Sequence, residues 1–154
     1  MIMNGTVLVP TDFSEQSNEA LRRACLLATQ LKAEVHLLHV IEASLYIDAD
    51  LILMTPIDEI IKIKRKSAAK QLDEQAASVE TEVITHLEEA NKNEALAICE
   101  FAGKLNADLI VIGRHGDKGA FEHLILGSTA ERVVRYAPCS VLVVMPHGIL
   151  GEDD

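Results

Sequence analysis

Tryptophan is absent from this 154-residue chain, and aromatic residues make up only 3%: Phe13, Phe101, Phe121, Tyr46 and Tyr136. So few rings leave almost no platform for stacking bases. Basic charge is also short: 14 Lys and Arg stand against 24 Asp and Glu, a formal net charge of −10. Nucleic-acid binding needs a basic face to displace counterions from phosphate, so DNA and RNA are excluded as partners. No basic residue precedes Arg22, and the N-terminus therefore lacks the charged start of a secretory signal. The longest apolar runs, Leu109–Ile112 and Val141–Met145, are strand-sized. A membrane span needs roughly 20 residues, and none is expected. The three cysteines, Cys25, Cys99 and Cys139, form no C-x-x-C pair. They read as the reduced, buried thiols of a cytoplasmic protein.

What is present is an alternation of two kinds of segment. Apolar residues make up 49% of the chain, enough for one ordinary domain core. Short β-branched or apolar runs at 6–10, 34–41, 107–113 and 140–145 predict strands, and the polar–apolar alternation over 80–87 predicts a half-exposed one. Helical spacing predicts helices over 17–32, 57–78, 93–105 and 127–136, the last opened by the capping-box spacing Ser128-Thr-Ala-Glu131. The order β-α-β-α-β-α-β-α-β implies a doubly wound parallel sheet with helices on both faces. The fourth and fifth strands are apolar on both faces, as central strands are. Residues 1–147 are expected to form the domain, and 148–154 a frayed acidic tail.

In such a sheet, ligands sit beyond the carboxyl ends of the strands, where strand order reverses. Two strand ends carry suitable chemistry: Pro10-Thr11-Asp12-Phe13-Ser14, and Gly113-Arg114-His115-Gly116 leading to Gly127-Ser128-Thr129. With strand order 3-2-1-4-5 both border one crevice. Glycines let backbone N–H groups approach an oxyanion, and a helix start adds unpaired donors. Asp12 offers an acceptor to a ribose or an amino group. The set suits a nucleotide, with phosphates at 113–128 and the nucleoside near Asp12. Each residue also has a purely structural reading. Gly113 and Gly116 allow a tight turn, and Ser128 and Asp12 cap helices.

These same residues carry a family resemblance. Val7-Leu-Val-Pro-Thr-Asp-Phe-Ser14, Ala107-Asp-Leu-Ile-Val-Ile-Gly113 and Leu126-Gly-Ser-Thr-Ala-Glu-Arg-Val-Val-Arg-Tyr-Ala-Pro-Cys-Ser-Val-Leu-Val-Val144 resemble the universal stress protein family. The resemblance implies a five-stranded sheet of order 3-2-1-4-5 and a homodimer pairing the last strands, Ser140–Met145. It further implies ATP, or AMP or ADP, as ligand, with Mg²⁺. Carried over residue by residue, Asp12 would hold the ribose, and Pro10, Thr11 and Val40 would border the adenine. Gly113, Gly116, Gly127, Ser128 and Thr129 would surround the phosphates, with Arg114 and His115 beside them. The family's ATP binders place nine residues between the second and third glycines. Here Gly116 and Gly127 are separated by ten. After the third strand, Glu88-Glu-Ala-Asn-Lys-Asn-Glu-Ala95 stands where the family often has Glu-Gly-x-Pro.

The expected function is an ATP-binding stress protein acting as a nucleotide-dependent switch, at most a slow ATPase. The alternative is a homodimeric interaction module of the same fold that does not bind ATP, which the ten-residue spacing favours. A response regulator would need an acidic pair after the first strand, and the P-loop pattern G-x-x-x-x-G-K-[ST] is absent. Lys62, Lys64, Arg65, Lys66 and Lys70 read as a solvated helix face, or else as a dock for an acidic partner. Glu122, Lys118 and His123 are further candidates near the phosphates, and Leu51–Met54 is a candidate apolar cover.

Overall fold

In the computed structural model of the chain, residues 5–43, 56–91, 93–115 and 126–145 are described. Gly116, Lys118, Glu122, His123, Leu51–Met54 and the tail lie outside them. The elements in chain order are β1 (Thr6–Pro10), α1 (Glu15–Leu31), β2 (Glu34–Glu42), α2 (Ile57–Ala77), β3 (Val83–Ala90), α3 (Glu94–Leu105), β4 (Leu109–Gly113), α4 (Ser128–Tyr136) and β5 (Ser140–Val144). The strands form one parallel sheet in the order β3-β2-β1-β4-β5, as expected.

Strand alternation divides the core into two layers. Val7, Val9, Leu37 and Val111 face α1 and α2, meeting Leu21, Ala24 and Leu72. Leu8, Leu38, Ile110 and Ile112 face α3 and α4, meeting Ile98, Ala102 and Val133. Small residues let the α1 backbone come close: Ala20, Ala24 and Ala28 are almost wholly buried. At the top of β4 a Cβ on Gly113 would lie 3.2 Å from the Gln16 Cβ, so glycine admits α1 there.

Four expectations need correction. β3 begins at Val83 and ends at Ala90, three residues later than the alternation predicts. The chain uses 78–82 to leave α2, and the ladder starts where Val83 pairs with Val35. The strand then carries Glu88 and Glu89 because it is an edge strand, and Glu89 is met by Arg65 at 2.6 Å. Secondly, β5 is not central. It forms the opposite edge, with Leu142 and Met145 exposed. Thirdly, α4 has no capping box. Its N-cap is Gly127, no side chain caps it, and Glu131 pairs instead with Arg135 at 3.0 Å. The sequence also starts α1 two residues late. Ser14 is the N-cap, and its hydroxyl accepts from the Ser17 N–H. The basic residues Lys62, Lys64, Arg65, Lys66 and Lys70 of α2 are exposed, as the solvated-face reading expects.

Candidate functional site

The carboxyl ends of β1 and β4, the switch-point pair, open onto a cavity of about 520 Å³. That size falls within the range of small-molecule sites. Its β1 wall is Pro10, Thr11 and Asp12, continued by Ser14 and Ser17 of the α1 start. Its β4 wall is Ile112, Gly113 and His115, continued by Gly127, Ser128 and Thr129 at the start of α4. Glu94 and Ile98 of α3 complete the lining. The sequence therefore brings together Pro10, Thr11, Asp12, Gly113, His115, Gly127, Ser128 and Thr129. Val40 and Arg114 stand apart from the lining. Val40 is buried in the α3-facing core layer with Ile98, and aliphatic surface reaches the cavity through Ile98 and Ile112. The Arg114 guanidinium lies 3.4 Å from the Met145 Sδ, at the β5 edge.

The β1 wall is held by a closed hydrogen-bond network. The Thr11 hydroxyl donates to Gln75 Oε1 at 2.7 Å and lies 2.9 Å from the Ser17 hydroxyl. It also accepts the Phe13 N–H at 3.0 Å. Ser17 Oγ donates to the Ser14 carbonyl at 2.8 Å. Gln75 Nε2 donates to Asn18 Oδ1 at 2.6 Å, which ties α2 to the network. Asp12 Oδ1 accepts the Ser14 N–H at 3.0 Å, yet Asp12 remains exposed on the cavity. Phe13 takes φ 65°, a left-handed conformation costly for a side chain of this size. Its ring stacks on His39 with centroids 4.3 Å apart, and His39 Nδ1–H donates to the Thr11 carbonyl at 2.7 Å. Burial pushes the His39 pKa down, against that bond and the Asp12 charge.

The other wall is tied by backbone. The Gly127 N–H donates to the Arg114 carbonyl at 2.8 Å, and Arg114 N–H donates to the Val144 carbonyl at 3.1 Å. A Cβ on Gly127 would lie 3.0 Å from the Arg114 carbonyl oxygen and from His115 Cα and Cβ, so a larger residue would press this backbone apart. Gln16 Oε1 accepts the His115 N–H at 3.3 Å, and Gln16 Nε2 lies 2.8 Å from His115 Nδ1. The first N–H groups of α4 have no capping side chain, in contrast with α1 and with α3, where Asn93 Oδ1 accepts from both Ala95 and Leu96.

Glu94, Gln16 and Gln75 are residues the sequence reading missed. The Glu94 carboxyl is pushed up to about 7, first by burial, then by the Glu42 and Asp12 charges. Its one sequence signal is a carboxylate directly after an N-cap asparagine, at the sheet end that also holds Asp12. Gln16 carries no signal, because its contact with His115 spans 99 positions. Among the described residues no group of three His, Cys, Asp or Glu is placed to hold a metal ion.

An open parallel sheet with a lined cavity outside its two switch-point strands defines a doubly wound α/β protein with its candidate site in the place general to that class. The model described as "Universal stress protein family" matches residues 3–145, and the chain belongs to that family. It is 37% identical over 139 residues to Universal stress protein MJ0531 of Methanocaldococcus jannaschii, covering 90% of this chain and 80% of the relative. Among solved structures, hypothetical protein MJ0577 aligns with a TM-score of 0.76 at 26% identity, over 96% of this chain and 99% of that one. A universal stress protein in complex with cAMP aligns with a TM-score of 0.57 at 25% identity, over 92% of this chain and 97% of that one.

Proposed function

We propose that the chain binds an adenine nucleotide, ATP above all, in the switch-point cavity and acts in the stress response as a nucleotide-dependent switch. The observation that carries this reading is the bare start of α4 beside the cavity. Its leading N–H groups lack side-chain acceptors and carry the positive end of the helix dipole, while the other helix starts on the cavity are capped. A phosphate there meets donors that no side chain has to release. The neighbour in complex with cAMP supports the same ligand class. Asp12 then stands as acceptor for the ribose, and Pro10, Ile98 and Ile112 as the apolar bed for the base. Mg²⁺ would be carried largely by the phosphates, with the carboxylate of Asp12 within the cavity.

The ten residues between Gly116 and Gly127 do not weigh against this reading. The described residues that flank the loop are joined by the bond from the Gly127 N–H to the Arg114 carbonyl. Lengthening a loop from nine to ten residues costs only about 0.1 kcal/mol of closure entropy. We further propose a homodimer formed through β5, whose exposed Leu142 and Met145 lie beside exposed Leu26 of α1. Leu142→Lys should shift the molecular mass in sedimentation from dimer to monomer. The free cysteines fit a reducing compartment such as the cytoplasm.

ATP with Mg²⁺ should raise the melting temperature, since a ligand at 100 times its Kd stabilises by about 2.7 kcal/mol. Asp12→Ala and Ser128→Ala should each diminish the shift. No shift at millimolar ATP would leave the ligand-free interaction module as the reading.

A further inference from the structure

We propose that Glu94 couples occupancy of the switch-point cavity to a proton: an anionic nucleotide binds there with uptake of a proton by the Glu94 carboxyl, so that pH sets the affinity. The coupling rests on the nucleotide reading above and adds a regulation to it. Glu94 is the first residue of α3, is half-buried, and lines the cavity together with Ile98 one turn later. It falls in the stretch 88–95, where this chain departs from Glu-Gly-x-Pro. Asn93 Oδ1 already accepts the Ala95 and Leu96 N–H groups, so the helix start is capped without Glu94. Burial and charge act on the Glu94 carboxyl, and no hydrogen bond offsets them.

The charges around it are of one sign. Asp12, beyond the end of β1, and Glu42, at the end of β2, both act on it. His39 of β2 feels the Asp12 charge, and burial lowers its pKa, which leaves it uncharged near neutrality. On the opposite wall His115 Nδ1 meets Gln16, and its Nε2 is enclosed. Among the described residues that line the cavity there is no Lys or Arg. The carboxyl is accordingly pushed up to about 7 before any ligand arrives. A nucleotide brings more negative charge into the same cavity and favours the neutral form further. The neutral carboxyl also has an O–H to donate to a ligand acceptor that a carboxylate would repel. The sign follows from linkage. A ligand that raises the pKa of a group binds with proton uptake, and its affinity falls as pH rises above the free-state value, by at most about tenfold per pH unit.

Two measurements on the full chain test the coupling. Titration calorimetry with ATP and Mg²⁺ in buffers of different ionisation enthalpy counts the protons taken up. At pH 7 the unmodified chain should take up as much as about half a proton more than Glu94→Gln, the nucleotide's own proton being common to both. Between pH 6 and pH 8.5 the unmodified chain should lose about fivefold or more affinity beyond what Glu94→Gln loses, and Glu94→Gln should be the tighter binder at pH 8.5. A carboxyl ¹³C titration by NMR needs no variant for the shift itself: the Glu94 pKa should be about 7 in the free chain and higher with ATP bound. Equal proton uptake by the two chains, or a Glu94 pKa that ATP does not raise, overturns the coupling and leaves the nucleotide reading standing. Absence of ATP binding by the unmodified chain at both pH 6 and pH 8.5 overturns the nucleotide reading, and the coupling with it. If Glu94→Gln does not fold, the ¹³C titration of the unmodified chain decides the matter.

Discussion

On the β1 side of the cavity, the Thr11 hydroxyl and the Gln75 and Asn18 amides satisfy one another, and the Asp12 carboxylate accepts the Ser14 N–H. On the α4 side, the helix start has no capping side chain and His115 Nε2 has no acceptor among the described residues. The first wall is complete without a ligand and the second is not. Stability and binding are therefore divided between the walls. Asp12 apart, which is exposed on the cavity, residues of the first should matter mainly to folding, and residues of the second mainly to what occupies the cavity.

The largest expected effect comes from erasing the contact that holds the second wall together. Gly127→Ala should abolish the ATP-induced melting shift and cost about 1–3 kcal/mol in denaturant titration, because the new Cβ meets backbone at 3.0 Å. Glu94 comes next. Its carboxyl ionises near 4.5 when free and near 7 in the fold. The folded state then holds a proton that the unfolded state has lost, so stability should fall as pH rises through 4.5–7, by up to about 3 kcal/mol. Glu94→Gln should remove that fall. Measuring the difference between the two chains isolates it from His39, whose lowered pKa acts in the opposite direction.

A contrasting pair tests the division directly. Thr11→Val leaves Gln75 Oε1 and the Phe13 N–H without their partner, and should cost about 1–3 kcal/mol with or without ATP. Ser128→Ala should cost no more than about 0.5 kcal/mol in the free protein and yet reduce the ATP shift. If Ser128→Ala destabilises the free protein as much as Thr11→Val does, the walls are not divided in this way.

The fold was legible because the strands are apolar runs or, in β3, a polar–apolar alternation, and each helix has its own apolar spacing, so element type and order follow from local pattern. Ends were less legible where tertiary pairing decides them. Val83 begins β3 because Val35 lies opposite, and no local feature of residues 80–82 reports that. β5 and β4 read alike in sequence, but only β4 has strands on both sides. Of the candidate site, the residues on strand ends and helix starts were visible. Gln16, Gln75 and Glu94 were not, since each acts through a partner brought near by packing. The capping box failed for a related reason: the spacing allows the bond, but Glu131 is one turn from Arg135 and pairs there.

The central ladder has a consequence in time. Val7 pairs with Val35 on one side, 28 positions away, and with Leu109 on the other, 102 positions away. Pairings of that separation are slow to close. A growing chain offers the first edge of β1 a partner early, while the second edge stays raw until β4 has been made. Since β4 and the α4 start form one whole wall of the cavity, no N-terminal fragment shorter than about 130 residues contains the site. Occupancy of the cavity would therefore register that synthesis has passed the start of α4.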